Sequence, residues 1–420
     1  MKNNIRFIIR NMSHHHISTL ANCHISTSSH HHITTSSHCH IITLLIILFF
    51  NINISGQDEK KKFTVSGYIS DLQGVSFDSI NKQWAITTLF HNRVNLKYFP
   101  VAGLSAAMEL RTRLSMEENE TGNAATATNF ATDNGLLNLS KNLAKGNSYV
   151  LNSTIDRVWV AYEKGKFHAT LGRQRINWGQ SIVWNPNDIF NAYSFFDFDY
   201  VERPGSDALR LQYYNSEVSS TELAVKMTSD RKITGAALYK FNAYNYDFQV
   251  LGGILNQTDY IAGFGWSGAI KSIAFRGEVS YFHPEQNFKD TSGILLASVS
   301  FDHTFGNSLY LLVEYLYNGN NSGNHISLQS LYNTPMTVKN LSFVKHNLIV
   351  QVSYPITPLL TGSIAGLYLP GIRGFYVGPS LSYSLIQNLD ASLYFQSLGG
   401  RIGEKAIQFN MLYFRLKYNF

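Results

Sequence analysis

The stretch Phe414-Arg415-Leu416-Lys417-Tyr418-Asn419-Phe420 decides the fold, because it alternates without a break. Taken from two residues earlier, Leu412, Phe414, Leu416, Tyr418 and Phe420 share one parity. Tyr413, Arg415, Lys417 and Asn419 share the other. Successive side chains of a strand point to opposite faces, so one face is an aromatic and aliphatic stripe and the other carries two cations. That suits a wall between lipid and a wet lumen, and does not suit a strand buried on both sides.

Composition widens the same reading. The 420 residues are 44% hydrophobic and 13% aromatic but only 15% charged, against about 25% charged in a typical soluble domain. Beyond residue 50 no apolar run reaches the ~20 residues a spanning helix needs. Low charge, 24 Tyr, 27 Phe and no spanning helix point to a membrane β-barrel. A sandwich array or propeller is the competing class, and the strand pattern argues against it.

Residues 41–50, Ile-Ile-Thr-Leu-Leu-Ile-Ile-Leu-Phe-Phe, have the length of an export-signal core, and Ser55-Gly56 supplies small residues for cleavage. Residues 1–56 therefore read as a His-rich low-complexity extension plus signal peptide, and 57–420 as the barrel. The near-repeat His24–His30 and His32–His38 has the composition of a metal-binding tract, but it lies upstream of a segment expected to be removed. Cys23 and Cys39 would leave with it, so no disulfide framework is expected. Loss of Lys2, Arg6 and Arg10 would halve the formal charge of +6, which argues against a nucleic-acid binder.

From residue 63 the chain divides into about eighteen strand-like runs, with 16 or 20 as the neighbouring even counts: 63–71, 84–99, 103–115, 150–164, 166–174, 206–214, 220–229, 233–242, 245–256, 259–270, 272–283, 292–304, 307–318, 343–354, 358–369, 374–386, 388–398 and 406–420. The long connections, such as 116–149, 175–205 and 319–342, all follow odd-numbered runs. The very short ones, such as Gly165, Lys271 and Gln387, follow even-numbered runs. Outer-membrane barrels have short periplasmic turns and longer extracellular loops.

Parity then assigns faces. Arg93, Lys97, Arg111, Arg113, Arg157, Arg210, Lys226, Arg276, Arg415 and Lys417 fall on the lumen side, opposed by Glu109, Glu163, Glu222, Glu278 and Glu314. Leu209, Leu223, Val225, Phe275 and Tyr281 fall on the lipid side. Arg or Lys on the lipid face near the midplane costs about 2–4 kcal/mol, which keeps these charges on one parity. Two readings stay open: a pore for small polar solutes with anions as a candidate class, or cross-strand ion pairs that stabilise the wall.

The segment 172–210 is too aromatic for a solvated loop and too rich in Asn, Pro, Asp and Gly for a lipid-facing strand. Phe167, Ala169 and Leu171 share a parity with Arg173 and Arg175, so the chain must bend near Gly172 or leave the bilayer there. The expectation is an extracellular loop folded into the mouth, holding Asp188, Asp197, Asp199 and Glu202 near Arg173, Arg175, Arg203 and Arg210 and narrowing the pore. Asp197, Asp199 and Glu202 are also hard oxygen donors suited to Ca²⁺. Their spacing departs from a calcium loop, so pairing with arginine is the expected fate.

Here the motifs Gly172-Arg-Gln-Arg-Ile-Asn-Trp-Gly179, Asn185-Pro-Asn-Asp-Ile-Phe-Asn191 and Glu202-Arg-Pro-Gly-Ser-Asp-Ala-Leu-Arg210 resemble the alginate-export-like and related porin-like barrels of Gram-negative outer membranes. The similarity covers roughly 166–214, and the Asn- and Tyr-rich strands resemble Bacteroidetes proteins. The resemblance implies an outer-membrane channel without naming a solute. The alginate exporters have an arginine-dense lumen, a pattern that the acidic residues here dilute.

No Gly-x-Ser-x-Gly elbow is present, and His91, His168, His283, His303 and His346 are scattered over separate runs. No enzyme, cofactor or metal is expected. The partners expected are outer-membrane lipid, a small polar solute, and the barrel assembly machinery through the strand ending at Phe420. The alternative is a barrel plugged by the loop, organising surface polysaccharide or a partner protein through 116–149 and 319–342.

Overall fold

The computed structural model describes residues 62–78, 84–117, 120–191, 202–320, 337–342, 344–402 and 405–420. The expectations for residues 1–56, Asp197 and Asp199 lie outside the described residues. Nineteen strands form one antiparallel sheet: β1 (Phe63–Asp78), β2 (Trp84–Val101), β3 (Leu104–Glu117), β4 (Ser140–Lys145), β5 (Tyr149–Lys164), β6 (Phe167–Gln174), β7 (Ser206–Ser216), β8 (Ser219–Met227), β9 (Ile233–Ala243), β10 (Tyr246–Leu255), β11 (Asp259–Ile270), β12 (Ile273–Pro284), β13 (Ile294–Thr304), β14 (Tyr310–Asn318), β15 (His346–Thr357), β16 (Leu360–Leu369), β17 (Gly374–Ile386), β18 (Leu389–Ile402) and β19 (Lys405–Asn419).

Eighteen of them make a closed ring. β3 pairs directly with β5, and short β4 is an extra strand laid against β5. β19 returns to β1 in register from Tyr68↔Asn419 to Asp78↔Phe409, which removes every sheet edge from the ring. In hydrocarbon every backbone N–H and C=O must be satisfied within the protein, and closure achieves that.

One end of the ring carries tight turns. Tyr244-Asn245 joins β9 to β10 with both φ values positive (53° and 62°), the two-residue hairpin geometry that matches strand twist. The other end carries the long connections. The stretch 116–149, read from the sequence as a long connection, contains helix α1 (Glu120–Ala131) as well as β4.

Parity holds along most of the wall. Leu209, Leu223, Val225, Tyr281, Phe414 and Tyr418 are exposed on the outside, while Glu222, Glu278 and Arg93 are buried inside. It breaks at one bulge and at one glycine. At Glu109/Leu110 the register with β5 shifts, so adjacent Asp156 and Arg157 both face the lumen. At Gly172, φ is +118° and a Cβ would stand 2.4 Å from the Val158 carbonyl oxygen. Leu171 stays outside there while Arg173 turns inside, the bend the sequence demands.

The interior departs from a uniformly hydrated lumen. Inward Leu238, Leu251, Ile261, Phe282 and Leu296 pack on Ile176, Trp178, Ile189 and Phe190. Leu312, Leu316, Ile349 and Leu367 pack on Val183 and Trp184. The inner wall from β9 to β16 is therefore a dry seat for the loop that follows β6.

Candidate functional site: a lumen loop and its charged passage

Leaving β6, the chain runs inward through Arg175–Asn191, and most of this segment is buried. Its aromatic and aliphatic side chains fill the apolar seat. Three glutamates of the wall hold the segment, two by its backbone and one by an indole. Glu278 on β12 accepts N–H bonds from Gln180, from Ser181 at 2.6 Å and from Asn187 at 2.8 Å. Glu314 on β14 accepts from Ile182 at 3.2 Å, Val183 at 2.9 Å and Trp184 at 2.6 Å. Glu222 on β8 accepts the Trp178 indole N–H and a bidentate pair from Arg210 at 2.6 and 2.8 Å. Gln249 donates to the Trp178 carbonyl at 2.7 Å, and Ser280 donates to the Pro186 carbonyl at 2.9 Å. Lys226 donates to the Phe190 carbonyl at 2.7 Å.

Glu278 and Glu314 make no ion pair among the described residues, although opposition to lumen cations was the expected role. Each instead collects three backbone N–H donors from the loop. Each carboxylate thus works as a clamp on the loop backbone.

The opposite wall carries most of the cations. Arg93 is fully buried, bound to Glu109 and, at 2.5 Å, to Asp156. Arg111 reaches Asp156 at 3.1 Å, and Arg157 reaches Glu109 at 3.4 Å and also donates to the Glu202 carbonyl. Arg113 lies 3.7 Å from the Phe130 ring centroid of α1 and donates to Asn152 at 3.2 Å. Arg173 joins Asp207 at 2.6 Å to Asp133 at 2.7 Å, tying the connection after β3 to β7. Arg276 pairs with Asp302. Arg415 sits over Tyr394 and Lys417 over Tyr68, at 5.1 and 3.9 Å from the ring centroids. Lys97 is exposed at the tight-turn end.

Between loop and wall lies a cavity of about 390 Å³ lined by Arg157, Arg175, Glu202, Arg203, Asn177, Gly179, Ser181, Ile182 and Asn185. Among the described residues, three guanidiniums and one carboxylate line it. The Glu202 carboxylate accepts from Tyr68 Oη at 3.2 Å. Among the described residues no group of three or more His, Cys, Asp or Glu could hold a metal ion. Arg175 and Asp188 pair at 2.9 Å within the loop, and burial pushes the Asp188 carboxyl up to about 7 against the pull of Arg175. Toward the long-loop end lies a second cavity of about 770 Å³, bordered by Arg111, Arg113, Asp133, Asp156, Lys226, Asp230 and Lys232.

Strict alternation missed Asp156, because parity places it outside. Two adjacent charges, Asp156 and Arg157, in one strand are the visible sign of the bulge. Asp133, Asp207 and Asp302 could not be separated from ordinary loop and strand-end acids.

A closed antiparallel ring with an apolar exterior, a charged interior and a loop folded into it is a porin-type transmembrane barrel. Solved structures share this fold. Pseudomonas aeruginosa OpdQ is 8% identical, with 86% of this chain and 99% of that chain covered and a TM-score of 0.53. Pseudomonas aeruginosa OccK11 (OpdR) is 10% identical over 85% and 96%, at 0.52. Pseudomonas aeruginosa OprD is 9% identical over 87% and 97%, at 0.53. At such identities the likeness is one of fold. No protein-family model matches the chain, and no curated protein matches it.

Proposed function

We propose that the chain is an outer-membrane channel for passage of small polar solutes, with anions favoured at its narrowest described point. One observation carries this: the loop is clamped to one side of the lumen by Glu278 and Glu314, and Arg157, Arg175 and Arg203 border the space left beside it. In this reading the long connections face outward and the wide mouth collects solute. The lumen residues from Arg93 to Arg415 named above act as pairing partners and field sources rather than catalysts, and no cofactor takes part.

The finer likeness to alginate-export-like barrels rests on 166–214 alone, and the Bacteroidetes-like source on the Asn- and Tyr-rich strands. Wall arginines already matched by Glu109, Asp156, Asp207 and Asp302 favour a small solute over a long polyuronate. Residues 1–56 serve as extension and export signal, and 57–420 as the channel. The strand ending at Phe420, whose backbone exchanges 2.9 Å bonds with Gly67, is the segment the assembly machinery would read.

Single-channel recording in planar bilayers tests the proposal. Discrete conductance with an anion-side reversal potential in a salt gradient is expected. No conductance from folded protein, intact or with 176–203 shortened, would favour the plugged barrel instead.

A further inference from the structure

The ring closes all round, but not to equal height. β6 has eight residues, the fewest of any ring strand. At ~3.3 Å per residue and a tilt of about 40° it rises about 20 Å, short of the ~25 Å apolar band of such walls. β6 and β7 end together at Gln174↔Ser206, whereas β5 runs on past its last pair with β6, Val158↔Arg173, up to Tyr149. The wall is breached there, toward the long-loop end.

Two pieces of chain stand in the breach. β4 takes the edge of β5 that β6 vacates, from Val150 to Thr154. Residues 132–139 cross to the far side, where Gly135 forms a single bridge with Thr228 and the Asn134 carbonyl accepts the Ser229 N–H at 3.2 Å, just past β8. This segment folds around Asp133, whose carboxylate accepts the Gly135 and Leu139 N–H groups at 2.9 and 2.8 Å. One side chain pins it to the wall. Arg173 donates to Asp133 and to the Leu137 carbonyl, both at 2.7 Å, and Asp207, which Arg173 also holds, accepts the Leu137 N–H at 3.1 Å. The shortest ladder of the ring, β5 with β6, has seven register pairs, whereas the join across the breach is one bridge and one pinned turn. Leu136 and Leu137 of this turn are exposed, and neither borders the cavity within. The segment thus has an apolar outer side, as wall does.

Behind it lies the 770 Å³ cavity, which has two kinds of lining. Arg111, Arg113 and Lys226 give it a cationic side, and Phe130, Phe190 and Leu255 an apolar one. A small hydrophilic anion uses only the first. An amphiphile with an anionic head and an alkyl chain uses both, and the breach leads its chain toward the outer leaflet. We propose that residues 132–139 are a hatch, which swings from between β5 and β8 to let such an amphiphile pass sideways from the vestibule into the membrane. Arg173 borders the same cavity, so an anionic head competes with Asp133 for its guanidinium and loosens the pin. This route is separate from the ion passage beside the lumen loop.

Locking the hatch tests it. Asn134 and Ser229 stand opposite each other beside the Gly135–Thr228 bridge, within disulfide reach, and the native cysteines, Cys23 and Cys39, precede the expected cleavage point. Cells producing the full chain with Asn134→Cys and Ser229→Cys are given radiolabelled dodecanesulfonate below its micellar concentration. Label entering the outer membrane is measured in the oxidised and reduced states. Oxidation is expected to bring entry down to that of cells without the protein, and reduction to restore it. Single-channel conductance of the oxidised protein is expected to stay at the wild-type level, which tells a closed hatch from a failed ion passage. A disulfide from Val225→Cys and Gly235→Cys, paired on the outer wall of β8 and β9, is expected to change neither. Equal entry in the oxidised and reduced states overturns the proposal. So does loss of conductance together with entry, which would put the probe in the lumen, or entry no faster with folded wild-type protein than without it.

Discussion

Replacing Glu278 by leucine should release the lumen loop without unfolding the barrel. The carboxylate accepts three backbone N–H bonds, from Gln180, Ser181 and Asn187. A hydrogen bond to a charged group contributes about 1.5–3 kcal/mol, so three gross about 5–9 kcal/mol. A displaced loop can hydrate its amides in the lumen, so the net loss is smaller, on the order of 3 kcal/mol, or about 100-fold in the displaced population. The wall is untouched, because β12 keeps its ladders with β11 and β13. Glu278→Gln keeps one acceptor oxygen but turns an NH₂ toward either Asn187 or the Gln180–Ser181 pair, so its effect should fall between wild type and leucine. Glu314→Gln should couple with it non-additively, since both clamps hold one segment. Single-channel recording should show a larger or flickering level, graded in that order, while gel mobility reports an intact fold. A folded Glu278→Leu protein with the wild-type level and noise would refute the clamp.

Arg93→Met leaves Glu109 and Asp156 buried with only Arg157 and Arg111 nearby. Removing a partner from a buried charge cluster costs about 3–5 kcal/mol, so the heat-modification midpoint should fall, and the reversal potential should move toward cations. Gly172→Ala forces a Cβ onto the Val158 carbonyl at a φ of +118° and should cut the folded yield. Gly165→Ala, at a turn with open space around it, should be tolerated at about 1 kcal/mol. Asp188 titrates near 7 in the clamped loop and from its ordinary value of 3.8 when released. The clamped state therefore holds the extra proton between those values, and clamping weakens as pH rises through 7. Open-state noise should be greater at pH 8 than at pH 6, a step that Asp188→Asn should remove.

The ring was legible because lipid enforces parity on every outward position, and because loop lengths separate the two ends. Leu209, Leu223 and Phe414 needed no tertiary information. The failures have local causes. Strict period two sends Asp156 outward, and only the register shift against Glu109 and Leu110 brings it in. The apolar inner seat was masked because Leu238 or Leu312 beside an outward apolar neighbour reads as a strand merely richer in hydrophobics.

The roles of Glu278 and Glu314 could not be read, and they change the charge balance of the pore. A carboxylate that receives backbone N–H groups leaves no mark on its partners' identities, because any residue but proline supplies the donor. Parity counted these acids as diluting the arginine lumen. In the structure each faces N–H dipoles of the loop, buried behind it, with no cation paired. These two acids of that wall are thus sequestered, whereas Arg157, Arg175 and Arg203 border the cavity beside the loop, with Glu202 as the one carboxylate among the described residues. A composition close to neutral thus folds into an asymmetric interior, with two acids covered by the loop and three arginines bordering the cavity beside it. Releasing the loop should uncover Glu278 and Glu314 as well as widen the pore. The clamp variants that retain one of these acids should accordingly lose anion preference as they gain conductance, a correlated change that simple widening would produce only in part.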